Sequence, residues 1–204
     1  MRKYGRLAAA SLAVLLLVTS CGQAGGPDHP EGPALVLAGD GKVTAYLVGE
    51  FDKDYYSLDE LETMAKEEAA AFGGAGEGGA APVSVEKVEA YADGSGRVIV
   101  TYGFDSTGSY EAFIGGQLFY GTVSEALLQG FARDVVLKSV SGDTQMNADE
   151  LSQQSGLHLI VTDVSAVIYC PEKVTHVSAG AVLNQDGSVD VSQAGGTVYI
   201  LLRK

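Results

Sequence analysis

Apolar residues recur along this chain in two rhythms, and the switches between them mark out the elements. Residues 34–38 and 43–48 are apolar runs on either side of Gly39-Asp40-Gly41. An Asp-Gly pair supplies the positive φ of a tight turn, so the two runs predict a β-hairpin. Residues 83–91 and 97–103 repeat the arrangement around Asp93-Gly94-Ser95-Gly96. Between the hairpins the period lengthens. Leu58, Leu61, Ala65, Ala69 and Phe72 fall on one face of a helix. Ser57 caps that helix, Glu60 completes a capping box, and Tyr56 and Leu61 stand where a hydrophobic staple belongs. Gly73-Gly74 ends it, and residues 73–81 (GGAGEGGAA) read as a flexible surface loop or a hinge.

Further along, short helical pieces are expected between residues 105 and 131, around an apolar segment at 117–120. Thr122 and Glu125 form a second capping box, and Gly130 is a natural stop. Residues 135–140 predict a strand. Asn147 with Glu150 starts a third helix, with Met146 and Leu151 as its staple and Gly156 at its end. The remainder reads as β: residues 157–164, 166–169 and 174–177, a hairpin over Asp186-Gly187, and 197–202. Hairpins predominate, and no strand–helix–strand alternation runs through the chain. The expected fold is α+β, built of antiparallel hairpins with about three short-to-medium helices, in a single domain over residues 34–204.

The first twenty-one residues follow neither rhythm. Arg2, Lys3 and Arg6 precede an apolar block at residues 7–18, made almost wholly of Leu, Ala and Val. The block is too short for a membrane span, which needs roughly 20 apolar residues as a helix. A basic start and a short apolar run are the signature of a secretory signal peptide. Val18-Thr19-Ser20-Cys21 then matches a lipobox: an aliphatic residue, two small ones and a cysteine. The segment resembles the precursors of bacterial lipoproteins. That resemblance implies a diacylglyceryl thioether on the Cys21 sulfur, removal of residues 1–20, and Cys21 as the first mature residue. Two acyl chains hold a protein stably where one binds only reversibly. The expected location is therefore the extracytoplasmic face of a cell membrane, with the lipid as anchor. Residues 21–33, rich in Gly and Pro, read as a flexible tether.

Charge narrows the partners. The whole chain carries a formal charge of −13; residues 1–20 hold three of its 13 basic residues and none of its 26 acids, which leaves −16 on the rest. Such a surface repels nucleic acid and anionic polymers, so no nucleic-acid partner is expected. With lipid on Cys21, Cys170 is the only other cysteine and has no disulfide partner. It ends the apolar run Ala166-Val-Ile-Tyr-Cys170 ahead of Pro171, which reads as a buried thiol rather than a reactive one.

Two further stretches carry a resemblance. Phe51-Asp-Lys-Asp-Tyr-Tyr-Ser-Leu-Asp-Glu-Leu61 is one; Ser109-Tyr-Glu-Ala-Phe113 followed by Leu118-Phe-Tyr-Gly-Thr-Val-Ser-Glu-Ala126 is the other. Together they resemble uncharacterised lipoproteins of Gram-positive anaerobic bacteria. The shared features are caps, staples and turns, so the resemblance implies a fold and an anchored location but no site residue.

Candidate chemistry is sparse. Asp52, Asp54, Asp59 and Glu60 could offer oxygen ligands to Ca²⁺. Ser57, however, stands where an EF-hand loop needs Gly, and Thr63 where it needs the bidentate Glu. Acids at a helix N-terminus already have a reason in the helix dipole, and Glu62 with Lys66 makes an i, i+4 pair. His29, His158 and His176 lack metal-ligand spacing, and no nucleophile elbow, phosphate loop or dinucleotide fingerprint occurs. No metal or cofactor is expected. Aromatics are the remaining signal. Tyr102, Phe104, Tyr110, Phe113, Phe119 and Tyr120 crowd into nineteen residues, interleaved with Gly103, Gly108, Gly115 and Gly116 and followed by Gly121. Tyrosine suits a surface that is part apolar and part wet. Tyr102, Tyr110 and Tyr120 are the expected binding surface, with core packing as the competing role. Two functions stay open: a non-catalytic module that binds a protein, peptide or small ligand or serves as an envelope component, and an extracytoplasmic hydrolase whose site matches no known motif.

Overall fold

The computed structural model describes residues 26–53, 55–73 and 81–204. The signal segment, Cys21 and most of the Gly-rich stretch lie outside them. In chain order the elements are β1 (Ala34–Leu37), β2 (Val43–Glu50), α1 (Leu58–Gly73), β3 (Val83–Ala90), β4 (Arg97–Phe104), α2 (Thr107–Ile114), β5 (Leu118–Thr122) and α3 (Val123–Leu128). Then come β6 (Val136–Ser139), β7 (Gln145–Asn147), α4 (Ala148–Ser152), β8 (His158–Thr162), β9 (Val167–Tyr169), β10 (Lys173–Val177), β11 (Val182–Leu183), β12 (Val189–Asp190) and β13 (Val198–Arg203). The fold is α+β, as expected, with four helices among the described residues against an expected three or so; the segment after Asp105 holds two of them.

Local signals explain most of the elements. Gly41, at φ +86°, turns β1 into β2, which pair antiparallel from Ala34↔Tyr46 to Leu37↔Val43. Thr122 and Glu125 exchange both bonds of a capping box, as do Asn147 and Glu150. At Ser57 only the Oγ half forms, accepting the Glu60 N–H at 3.3 Å. Among the described residues no helix is long and apolar enough to cross a membrane.

Strands assemble into two sheets. The first has the order β11-β12-β9-β1-β2-β4-β3 and the second β5-β8-β13-β10-β6-β7. All pairings are antiparallel except β1 with β9, which run parallel. One core lies between the sheets: Leu35, Leu37, Ala45, Tyr102, Phe104 and Ile168 from the first meet Leu118, Ile160, Ile200 and Leu202 from the second. At its central strands β8 and β13 the second sheet is buried on both faces. Leu159, Val161 and Leu201 point the other way, into a smaller core with Val123, Ala126 and Leu151 from α3 and α4. That is why β8 and β13 read as unbroken apolar runs rather than alternating ones. The edge strand β5 is guarded by carboxylates, since Glu111 accepts from the Leu118 N–H at 2.7 Å and Glu125 from the Thr122 N–H at 2.7 Å.

The outer face of the first sheet carries chain that the sequence assigned to the tether. Gly26 lies against the Tyr46 ring, and Pro27 and Asp28 line a hollow with Tyr46, Glu86, Lys87 and Thr101. The Tyr91 hydroxyl donates to the Pro30 carbonyl, Arg97 Nη1 donates to the Glu31 carbonyl at 3.3 Å, and His29 stacks on Tyr91 at 5.1 Å. Residues 28–31 are therefore fastened to the domain ahead of Ala34.

Candidate functional site

The three tyrosines expected to form a binding surface do not share one. Tyr102 is 5% exposed and Tyr110 4%, and both belong to the core between the sheets. Residues 98, 100, 102 and 104 share one side of β4, so the period of two that builds the strand also turns Tyr102 inward. Tyr102, Phe104, Tyr110 and Phe113 pack ring against ring, with centroids 5.3–6.2 Å apart. The expectation of an exposed aromatic face is corrected at these two positions: the rings fill the interior.

Tyr110 still borders a small cleft of about 270 Å³ at the end of the sandwich, formed with Ala34, Leu47, Ile114, Gly116 and Asp163. Burial, with the Asp163 carboxylate nearby, pushes its phenol up to about 12. Gly116 has φ +79°, and a Cβ there would sit 3.2 Å from Asp163 Oδ1, whose bond to the Gln117 N–H (2.6 Å) pins the loop. This cleft is narrower than the range of about 300–1,000 Å³ usual for ligand pockets.

Tyr120 is half-buried beside an acid–base pair. His158 Nδ1–H donates to Glu172 Oε1 at 2.7 Å, and the Tyr120 hydroxyl lies 3.4 Å from the same nitrogen. Burial first, then Glu172 and Cys170, raise the Tyr120 phenol to about 12. Cys170 is 9% exposed, and burial pushes its thiol up to about 12, so it stays protonated and inert at neutral pH. The pair braces β8 against the loop after β9. The Cys170 thiol turns away from it, donating to the Ile168 carbonyl at 3.8 Å.

The aromatic surface lies elsewhere. Phe51 leaves β2, Tyr55 and Tyr56 lead into α1, and the β3–β4 turn stands opposite. Phe51, Tyr56, Ser57, Leu58 and Asp59 form one wall of a groove of about 450 Å³, with Ala90, Tyr91, Gly96, Arg97 and Val98 opposite. Tyr55 is 74% exposed and Tyr56 44%. The Tyr56 ring lies 5.0 Å from Phe51, with the Tyr55 ring edge-on at 4.9 Å. Gly96 makes the floor possible: at φ +73° it brings its carbonyl within 2.7 Å of the Phe51 N–H, and a Cβ there would press on the Phe51 carbonyl at 3.3 Å.

The groove's charges are held in place. Arg97 lies 4.5 Å over the Tyr91 ring and pairs with Asp93 at 3.0 Å. Hydrogen bonds from Ser95, joined by the Arg97 guanidinium, pull the Asp93 carboxyl down to about 2. Asp52 is engaged with Lys53 at 2.5 Å, while Asp59 faces solvent in the first turn of α1. The sequence carried a signal for this site, three aromatics in six residues at 51–56 that fit neither apolar rhythm. Tyr56 was absorbed into the helix staple instead. Compared with known family models, curated proteins and solved structures, the chain matches none.

Proposed function

We propose that this chain is an extracytoplasmic lipoprotein, anchored in the cell membrane by lipid on Cys21, that works as a non-catalytic binding module. The anchor half of this reading rests on the basic start, the apolar block at residues 7–18 and Val18-Thr-Ser-Cys21. The binding half is carried by one observation, the tyrosine-walled groove between residues 51–59 and 90–98, with Tyr55 and Tyr56 open to solvent. Exposed tyrosines offer contact area at a low entropy cost, and they cluster at recognition surfaces.

Replacing Cys21 tests the anchor. Cys21→Ala should abolish fatty-acid labelling and leave uncut precursor with its signal attached. Normal labelling of that variant contradicts the lipoprotein reading.

A further inference from the structure

The groove has the inventory of a sugar site rather than of a peptide or ion site. Its surface is divided between apolar rings and polar groups. Phe51 and Tyr56 supply rings, since the Tyr91 ring is buried under Arg97, while Asp59 and the Tyr56 hydroxyl supply hydrogen-bonding groups. A pyranose presents the same division, with one apolar face of C–H groups and a rim of hydroxyls that both donate and accept. Stacking covers the ring, and the hydroxyls replace the water lost from the Asp59 carboxylate, which would otherwise be left unsatisfied. A proline-rich segment would cover the rings too, but it brings few donors for Asp59.

Charge points the same way. Outside residues 1–20 the chain carries −16, which disfavours an anionic polymer, and the groove's only basic side chain, Arg97, is already paired with Asp93. The same Arg97 stands in the wall against an organic cation. About 450 Å³ is room for two or three sugar rings and lies within the usual size range of ligand sites. We propose that the groove bounded by Phe51, Tyr56, Asp59, Tyr91 and Arg97 binds a neutral oligosaccharide, its ring stacked on Tyr56 and its hydroxyls on Asp59. This assignment rests on the groove being the binding site of the module.

Calorimetric titration of the full chain tests it, in a detergent without a sugar headgroup, with the tetramers of N-acetylglucosamine, β-1,4-linked glucose and α-1,4-linked glucose. Saturable binding of at least one tetramer is expected, weakened about tenfold or more by Tyr56→Ala and unchanged by Leu128→Ala. Leu128 is 85% exposed on α3, away from the groove. No binding by any of the three overturns the proposal, as does binding that survives Tyr56→Ala. A proline-rich peptide that binds instead, with the same dependence on Tyr56, overturns the saccharide assignment while leaving the groove as the binding site.

Discussion

Two stretches of this chain are rich in aromatic rings, residues 51–56 and residues 102–120, and the fold treats them in opposite ways. In the second stretch Tyr102, Phe104 and Tyr110 are at most 5% exposed and pack on one another between two sheets. In the first, Tyr56 lines a groove and is 44% exposed, and its neighbour Tyr55 is 74% exposed. The difference does not lie in residue type. It lies in what surrounds each ring: Tyr102 shares a strand face with Val98, Val100 and Phe104, whereas Tyr55 and Tyr56 sit in a loop between Asp52 and Asp59 with no apolar rhythm to join. Aromatic density alone therefore says little about exposure. The periodicity of the neighbours decides it.

The sharpest way to break this contrast is to truncate a ring in each region. Tyr102→Ala or Tyr110→Ala removes a buried ring and leaves a cavity between the sheets. A loss of about 3–5 kcal/mol is expected in denaturant unfolding. A loss below about 1 kcal/mol would show that these rings are not core.

Alkaline titration probes the same core more gently. Burial holds the Tyr110 phenol up to about 12, above the ordinary tyrosine value of 10.0. Its contribution is fully present below about pH 10 and is lost as pH rises toward 12, because the unfolded chain releases this proton first. Tyr110 alone accounts for about 2–3 kcal/mol over that window, and Tyr110→Phe should flatten the decline. An unchanged pH profile in Tyr110→Phe would mean that the phenol is not held protonated by the fold.

The smallest stability effect belongs to the exposed pair. Tyr55→Ala and Tyr56→Ala should each leave unfolding free energy within about 0.5 kcal/mol of the parent chain. A larger loss at Tyr56 would make its contact with Phe51 structural and draw the first stretch toward the behaviour of the second.

Much of the local structure was legible in the sequence, because its causes are local. Asp40-Gly41 specified a hairpin, and the Thr122/Glu125 and Asn147/Glu150 boxes named their helix starts to the residue. What escaped depends on partners distant in the chain. The parallel pairing of β1 with β9 joins residues 34–36 to 167–169, and no neighbouring residue announces it. The fastening of residues 28–31 depends on Tyr91 and Arg97, more than sixty positions on from Pro30 and Glu31. The groove was hidden for the same reason, since one wall comes from the approach to α1 and the other from the β3–β4 turn. The inward turn of Tyr102 is not announced by alternation along β4, because Ile99 and Thr101 on the opposite face are buried as well.

Photo-crosslinking on intact cells tests the contrast most directly. A benzophenone amino acid placed at position 56 in the full chain, and in a second strain at position 128, reports what touches each surface. Both positions are exposed, so neither replacement disturbs the core. A discrete crosslinked species at 56 that is missing at 128 is the expected result. Crosslinks of equal yield and pattern at both positions, or none at 56, would contradict a binding role for the groove.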